Sequence, residues 1–267
     1  MAAVHLRLAS PSVGVLDVRC RSPRAGPGPE RGDEPTHLAL VRRGAFVYHL
    51  GARAHLGDAC TALLHRGGDA YRVSHPVDGG DDLTVLELAP GLADEAFGAS
   101  PRVAFGATPR AHVLLARLRA ALAAGTSGLP GEEAALELVG EIARAGGRRG
   151  DPPPGRRDRR LVDAVKARLA AELDRNLPIG ALAAGVGASP FHLMRVFRAT
   201  TGMPVRAYRR QLRVLAALEA LEGGRGALAR LALELGFAHH AHLTDAFRSV
   251  LGSAPRTFLE ARRGGRG

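Results

Sequence analysis

Cysteine is scarce: Cys20 and Cys60 are the only two in 267 residues. Two thiols make no disulfide framework and suit a reducing compartment, here the cytoplasm. No apolar run approaches the ~18 residues needed to cross a bilayer, so no membrane partner is expected. The opening "MAAVHLRLASPSVGVLDVRC" lacks a basic segment followed by a continuous apolar one, so a secretory leader is not expected either. Lysine is confined to Lys166, and every other basic side chain is arginine, a coding bias rather than a chemical signal. Also missing are a glycine-rich phosphate loop, a nucleophile elbow and a paired metal-ligand motif. Neither catalysis nor a bound cofactor is therefore indicated.

What is present is a surplus of positive charge in one place. The chain carries a formal net charge of +11. Residues 1–155 hold 17 arginines against 17 acidic residues, whereas 156–267 hold 20 basic residues against 9. A neutral part joined to a basic part implies that the second meets a polyanion while the first does something else. The junction is visible as "GGRRGDPPPGRRDRR" over 146–160. Its glycines, three consecutive prolines and arginines cannot build a core and suit an extended linker.

Ahead of that linker, residues 36–90 alternate and turn often, with breaks at "RRG", "LGD", "RGGD" and "DGGDD". This is the pattern of an antiparallel sheet curled into a small barrel or sandwich. Residues 110–145 change character. "RAHVLLARLRAALAAG" and "GEEAALELVGEIARAGG" have helical spacing and read as a hairpin. Leu114, Leu115, Leu118 and Leu122 fall on one face, available to pack on the sheet or to form a dimer contact.

After the linker the chain repeats itself. Leu182, Gly187, Leu193, Phe197 and Gly202 recur as Leu231, Gly236, Leu243, Phe247 and Gly252, offset by 49 residues before the turn and 50 after it. In the first copy "PIGALAAGVG" reads as a short helix. Ser189 then stands as N-cap and Pro190 as first residue of a second helix, a strong start signal. Leu193, Val196, Phe197 and Thr200 share its core face, while Phe191, Met194, Arg195 and Arg198 share another. A globular domain has little use for an exposed Phe and Met beside two arginines. A helix in the major groove has, because apolar groups meet thymine methyls and arginine binds guanine bidentately. Arg195 is the candidate for a base and Arg198 for a base or a phosphate. By the internal alignment Ala241, Thr244, Asp245 and Arg248 take the corresponding places in the second copy.

These motifs, "LAAGVGASPFHLMRVFRATTGMPVRAYRRQLRVLAALEAL" and then "LARLALELGFAHHAHLTDAFRSVLGSAPRTF", resemble the paired helix–turn–helix domain of the AraC/XylS-type transcription regulators over about residues 160–262. The resemblance implies a cytoplasmic, sequence-specific regulator of α+β class with two domains. A cupin-like β-barrel sensor (1–98) and a helical hairpin (99–146) would be followed by a linker (147–160) and an all-α domain with two helix–turn–helix units (161–263). One rigid helix, Arg206 to Glu222 with Tyr208 and Leu212 as packing residues, would set two recognition helices ~34 Å apart on one face of duplex DNA. DNA-contact candidates are then Ser189, Phe191, His192, Met194, Arg195 and Arg198 from the first copy. Arg210 comes from the connecting helix, and His240, Ala241, His242, Thr244, Asp245 and Arg248 from the second copy. RNA polymerase, a small-molecule effector and a second copy of the chain are the other partners that the family suggests. Two rival readings are a cupin-type metalloenzyme with a DNA-binding appendage and a nonspecific architectural DNA binder.

The second copy departs from the family pattern. Asp245 stands where arginine is usual; a carboxylate there repels phosphates or accepts from a cytosine amino group. His239 replaces an acidic cap and is expected to weaken that helix start slightly. His239 and His242 have metal-ligand spacing, yet no cysteine lies near them in sequence, so imidazoles on phosphate or base edges fit better. In the first domain His37, His49, His55, His65 and His75 are scattered. A subset such as His37 with His75 and Cys20 offers metal-ligand chemistry; otherwise these are strand and turn histidines.

Overall fold

The computed structural model describes all residues except 1, 33, 99–100, 127, 147–154, 225–226 and 265–267. In chain order the elements are β1 (Ala2–Ala9), β2 (Val13–Cys20), β3 (His37–Leu50), β4 (Arg53–Asp58), β5 (Thr61–His65), β6 (Tyr71–Ser74), β7 (Asp81–Leu88), α1 (Leu92–Phe97), β8 (Ala104–Gly106), α2 (Pro109–Ala123) and α3 (Leu129–Gly146). They are followed by α4 (Arg156–Ala171), α5 (Ile179–Ala184), α6 (Pro190–Thr201), α7 (Val205–Glu222), α8 (Leu228–Glu234), α9 (His240–Leu251) and α10 (Pro255–Gly264). The chain divides into two compact units, 1–148 with 256–267 and 149–255. No helix among the described residues is long and apolar enough to cross a membrane.

The second unit is helical. Its core is made by Leu169, Leu182, Leu193, Phe197, Val214, Leu243 and Phe247, each essentially without solvent contact. The linker expected over 147–160 lies outside the described residues from 147 to 154, and its remainder is not linker. Gly155 caps a helix whose first residues are Arg156–Arg160. The prolines stop at 154, arginine is a good helix former, and Asp158 places negative charge in the first turn.

The first unit is an eight-stranded antiparallel sheet in the order β1-β2-β7-β3-β4-β5-β8, with β6 pairing β3. Strand β8 extends it beyond the stretch legible as β, and α1 separates β7 from β8. The long β3 organises the sheet: its first half pairs β5 and β7, its second half β4 and β6. Leu38 and Leu40 pack on one face with Val13, Val15, Leu86 and the α2–α3 hairpin. Ala39 and Val41 pack on the other with Phe46, Tyr48, Leu63 and Tyr71. Because both faces are covered, the strict polar–apolar alternation of a half-exposed strand gives way here to a run of buried residues.

The α2–α3 hairpin is held on that sheet by its leucines. Leu114, Leu115 and Leu118 are buried in the sheet's core and Leu122 packs against it, so this face is used within the chain and is not free for a dimer. Asp17 of β2 adds a polar tie. It accepts from Thr84 Oγ1 at 3.1 Å and lies 3.1, 3.5 and 3.8 Å from Arg7, Arg42 and, on α2, Arg119.

Of the metal subset His37, His75 and Cys20, the last two come together but His37 does not join them. His37 pairs in register with Glu87, at one end of β7, while Cys20 pairs with Asp81 at the other. Six residues of strand separate those positions, about 20 Å at the usual rise. His37 stacks instead on His65, with ring centres 4.7 Å apart.

Burial sets the titration of one histidine in particular. His112 of α2 is wholly enclosed, and desolvation pushes its pKa down to about 4 although the Ala59 carbonyl and Asp58 pull it the other way. Folding thus holds the ring neutral, while the unfolded chain takes up the proton near the ordinary value of about 6.5. Stability from this group is present above that value, falls as pH drops from about 6.5 towards about 4, and levels off below. The loss should reach roughly 3 kcal/mol. Urea unfolding of the full chain from pH 7 to pH 4 should show a shallower decline in His112→Gln than in the wild type. Burial lowers His37, His49 and His65 too, so the comparison isolates His112. Equal slopes would sink this assignment.

Candidate nucleic-acid interface

Helices α5 and α6 form one pair and α8 and α9 a second with the same internal layout. Each second helix starts at a side-chain cap and ends at a left-handed glycine, Gly202 or Gly252. Ser189 Oγ accepts from the His192 amide at 3.2 Å and Pro190 follows at the first helical position. In the second pair His239 is the cap: its Nδ1 accepts from the His242 amide at 3.2 Å. An imidazole nitrogen thus fills the acceptor role at this helix start, where His239 in place of an acidic cap was expected to weaken it slightly. The His242 ring stands edge-on to buried Phe237, with centres 5.2 Å apart. Two of the clustered histidines are thus occupied in building the start of α9.

Both second helices separate into the two faces that their periodicity describes. In α6, Leu193, Val196 and Phe197 are buried and Thr200 is half-buried. Phe191 is 75% exposed and Met194 47%, with Arg195 and Arg198 exposed beside them. His192 sits between charges: Nδ1 is 3.3 Å from Arg195 Nη2, and Nε2 is 3.6 Å from Asp158 of α4. Met194 and Arg198 also line a groove of about 340 Å³ with Leu177, Ile179, Leu182 and Arg209. In α9, Leu243, Ala246 and Phe247 are buried, and His240, Ala241, His242, Asp245 and Arg248 are exposed. Thr244 is half-buried, its hydroxyl donating to the His240 carbonyl at 3.0 Å. Asp245 does not stand alone. Its Oδ1 receives Arg248 Nη1 at 3.2 Å, an i,i+3 pair on the exposed face.

The element between the pairs is α7. Tyr208, Leu212, Leu215 and Leu218 are buried along it, and Tyr208 meets Phe197 of α6 edge-on, ring centres 5.2 Å apart. Arg210 is exposed, as is Arg206. Arg213 is buried and was not legible as special. Its guanidinium donates to the carbonyls of Leu173 (2.6 Å), Arg175 (3.0 Å) and Gly236 (2.9 Å) and to Asn176 Oδ1 (3.0 Å). It also lies over the Phe237 ring. One side chain thus ties the loop after α4 to the turn between α8 and α9. Burial, with Arg209 adding repulsion, lowers its pKa to about 10 while Asp174 opposes, so it remains a cation at neutral pH. In "RAYRRQLR" nothing separates Arg213 from its neighbours except helical phase. The signal was the burial of α7 on several faces, which appears only once both pairs are packed.

Gly236 completes this joint. Its φ is +72°, and a Cβ there would run into the Asp174 carbonyl. Between this glycine and the cap of α9 stand Phe237 and Ala238, where the first pair has Ala188 alone between Gly187 and Ser189. The inserted length puts the buried Phe237 ring beneath Arg213.

A family model described as a helix-turn-helix domain matches residues 182–261. The DNA-binding domain of AdpA, a global transcriptional factor solved in complex with a target DNA, is 30% identical over 40% of this chain and 95% of its own, with a TM-score of 0.37. An AraC-type regulator from Chromobacterium violaceum is 22% identical over 39% of this chain and 92% of its own, TM-score 0.37. ToxT from Vibrio cholerae O395 aligns over 98% of each chain at 10% identity and a TM-score of 0.40.

Two substitutions probe the joint. Arg213→Ala strands buried carbonyls, and a hydrogen bond to a charged group contributes about 1.5–3 kcal/mol. Gly236→Ala combines a left-handed backbone costing roughly 1–2 kcal/mol with a clash of similar size. Each should lower the urea-unfolding stability of the full chain by about 2–4 kcal/mol. Losses within about 0.5 kcal/mol of zero, the range of ordinary surface changes, would mean that the joint is not structural.

Proposed function

We infer that this chain, which belongs to the AraC/XylS-type transcription regulators through residues 182–261, reads duplex DNA with helices α6 and α9 in a cytoplasmic regulator. The observation that carries this reading is the outward row of Phe191, Met194, Arg195 and Arg198 on a helix whose opposite face is closed by Leu193 and Phe197. Arg195 can reach guanine, Phe191 and Met194 can meet thymine methyls, and Arg198 suits a phosphate or a base. His192 limits the freedom of Arg195 from below.

The α8–α9 pair acts as a second helix–turn–helix unit with a different chemistry. Asp245 supports Arg248 by accepting its hydrogen bond, so the arginine is the group presented to DNA and the aspartate is partly neutralised. Exposed His240 and His242, with Ala241 and Thr244, supply short polar and apolar contacts. Ser189, at the capped start of α6, and Arg210 on α7 are assigned to the sugar–phosphate backbone, where the basic excess of the second part gives salt-sensitive affinity.

Residues 161–263 are on this reading the DNA-binding domain and 1–146 a sensor of cupin-like type, its barrel followed by the helical hairpin. A small polar effector is supported by one feature of the sheet's inner face. His37, Tyr48, His65 and Tyr71 cluster there, and His65 Nε2 is buried without a hydrogen-bond partner among the described residues. Pairing with a second copy would use a surface other than the buried leucines of α2, and RNA polymerase is the partner through which bound DNA is turned into regulation.

Selection of sites from a random duplex pool by the full chain at physiological salt tests the reading. A motif of two blocks about one helical turn apart is expected. On the selected site Arg195→Ala should cost about 1–3 kcal/mol and relax one base position, whereas Arg210→Ala should weaken cognate and random duplexes alike. Equal losses on both duplexes for Arg195→Ala would remove the base-reading role. No enrichment by the wild type would favour an architectural, sequence-indifferent binder.

A further inference from the structure

We propose that Cys20, His75 and Asp81 form a binding site for a zinc-class divalent cation at one rim of the N-terminal sheet. The donor atoms of these three side chains, one sulfur, one imidazole nitrogen and one carboxylate oxygen, all lie within 4.8 Å of one another.

The backbone holds the three residues in place. Cys20 ends β2 and Asp81 begins β7, and the two are direct cross-strand partners. Directly paired residues project to the same face of a sheet. His75 follows β6 and is fixed by a bridge to Ala25, with amide–carbonyl bonds of 2.9 and 3.0 Å in both directions. Gly80, at φ +70°, lets the turn into β7 run against the Cys20 backbone, where any Cβ would collide with the Cys20 carbonyl. The turn is tied further by Asp78, which accepts from the Arg24 amide at 2.8 Å.

The charges around the site are uneven in a way that points to a cation. Asp82 is neutralised by two arginines, Arg21 at 2.6 Å and Arg43 at 3.0 Å. Asp81, next in sequence and just as buried, has His75 as its ion-pair partner, with Nε2 and Oδ2 3.0 Å apart. A thiol and a buried carboxylate thus face each other beside a single imidazole. A divalent ion supplies the missing charge, takes the thiolate as the Cys20 proton leaves for solvent, and converts a costly burial into coordination.

The donor set selects the metal. Thiolate with imidazole and carboxylate suits zinc and excludes magnesium and calcium, which take oxygen ligands. Bond lengths of about 2.0–2.3 Å put tetrahedral donors roughly 3.3–3.8 Å apart, so side-chain rotations of about 1 Å close the set around an ion. Three protein ligands leave a fourth position for water or a small-molecule donor.

Cobalt(II) titration of the full chain, stripped with chelator, reads the site directly, because a thiolate ligand gives a sulfur-to-cobalt charge-transfer band and only Cys20 and Cys60 can supply one. One equivalent with that band is expected, displaced by zinc. Cys20→Ser should abolish the band and Cys60→Ser should keep it. Asp81→Asn and His75→Gln should weaken binding by more than about 100-fold, beyond the range for outer-shell partners. Absence of a saturable band in the wild type, its survival in Cys20→Ser, or unchanged affinity in Asp81→Asn would overturn the proposal. Should Cys20→Ser fail to fold, X-ray absorption of the zinc-loaded wild type decides: one sulfur among nitrogen and oxygen neighbours supports the site, and an all-nitrogen-and-oxygen shell refutes it. None of these readouts involves DNA, so the outcome stands apart from that of the DNA-reading assignment.

Discussion

The helical unit depends on one buried cation. Arg213 leaves α7 and satisfies four acceptors that no helix of its own could satisfy, three carbonyls and an amide oxygen from the loop after α4 and from the turn before α9. The free energy of burying a guanidinium is offset because every partner lies in hydrogen-bond range and because Phe237 offers its ring face. The consequence is geometric. The turn that opens the second pair is bound to the helix that connects it with the first, so the two exposed faces, Phe191–Arg198 and Ala241–Arg248, belong to one scaffold. Gly236 permits the close approach, and Tyr208 packed on Phe197 fixes the other end of α7.

Within that scaffold the two pairs are built by the same rules but finished differently. A serine hydroxyl caps α6 and an imidazole caps α9. The outward row of α6 is large and apolar with two arginines; that of α9 is small, with an internal Asp245–Arg248 pair. The two helices thus share a core plan and differ in the surface that they expose.

The N-terminal unit follows a different physical logic. Its β3 strand is buried on both sides, one side closed by the helical hairpin and the other by aromatic and histidine rings. Polar groups are gathered in enclosed clusters, among them Asp17 with Arg7, Arg42 and Arg119, and Cys20 with His75 and Asp81. The first set has one carboxylate among three guanidinium groups, whereas the second gathers a thiol, an imidazole and a carboxylate.

Much of this was determined by the sequence. Helical phase alone separates Leu193 and Phe197 from Phe191 and Arg195, because side chains three and four apart share a face whatever surrounds the helix. The 49- and 50-residue offsets locate both pairs, and Ser189-Pro190 marks the start of α6. What tertiary structure decided are the matters that local rules leave degenerate. Arg213 is one of several arginines until packing encloses it. His239 and His242 offer metal spacing until backbone amides and Phe237 claim them. Arg156–Arg160 look like linker until Gly155 begins a helix. Cys20 and Asp81 lie 61 positions apart in the chain and meet because strand pairing sets their register, which also carries His37 to the far end of β7. Periodicity is a property of neighbours along the chain, while burial and register belong to the assembled fold.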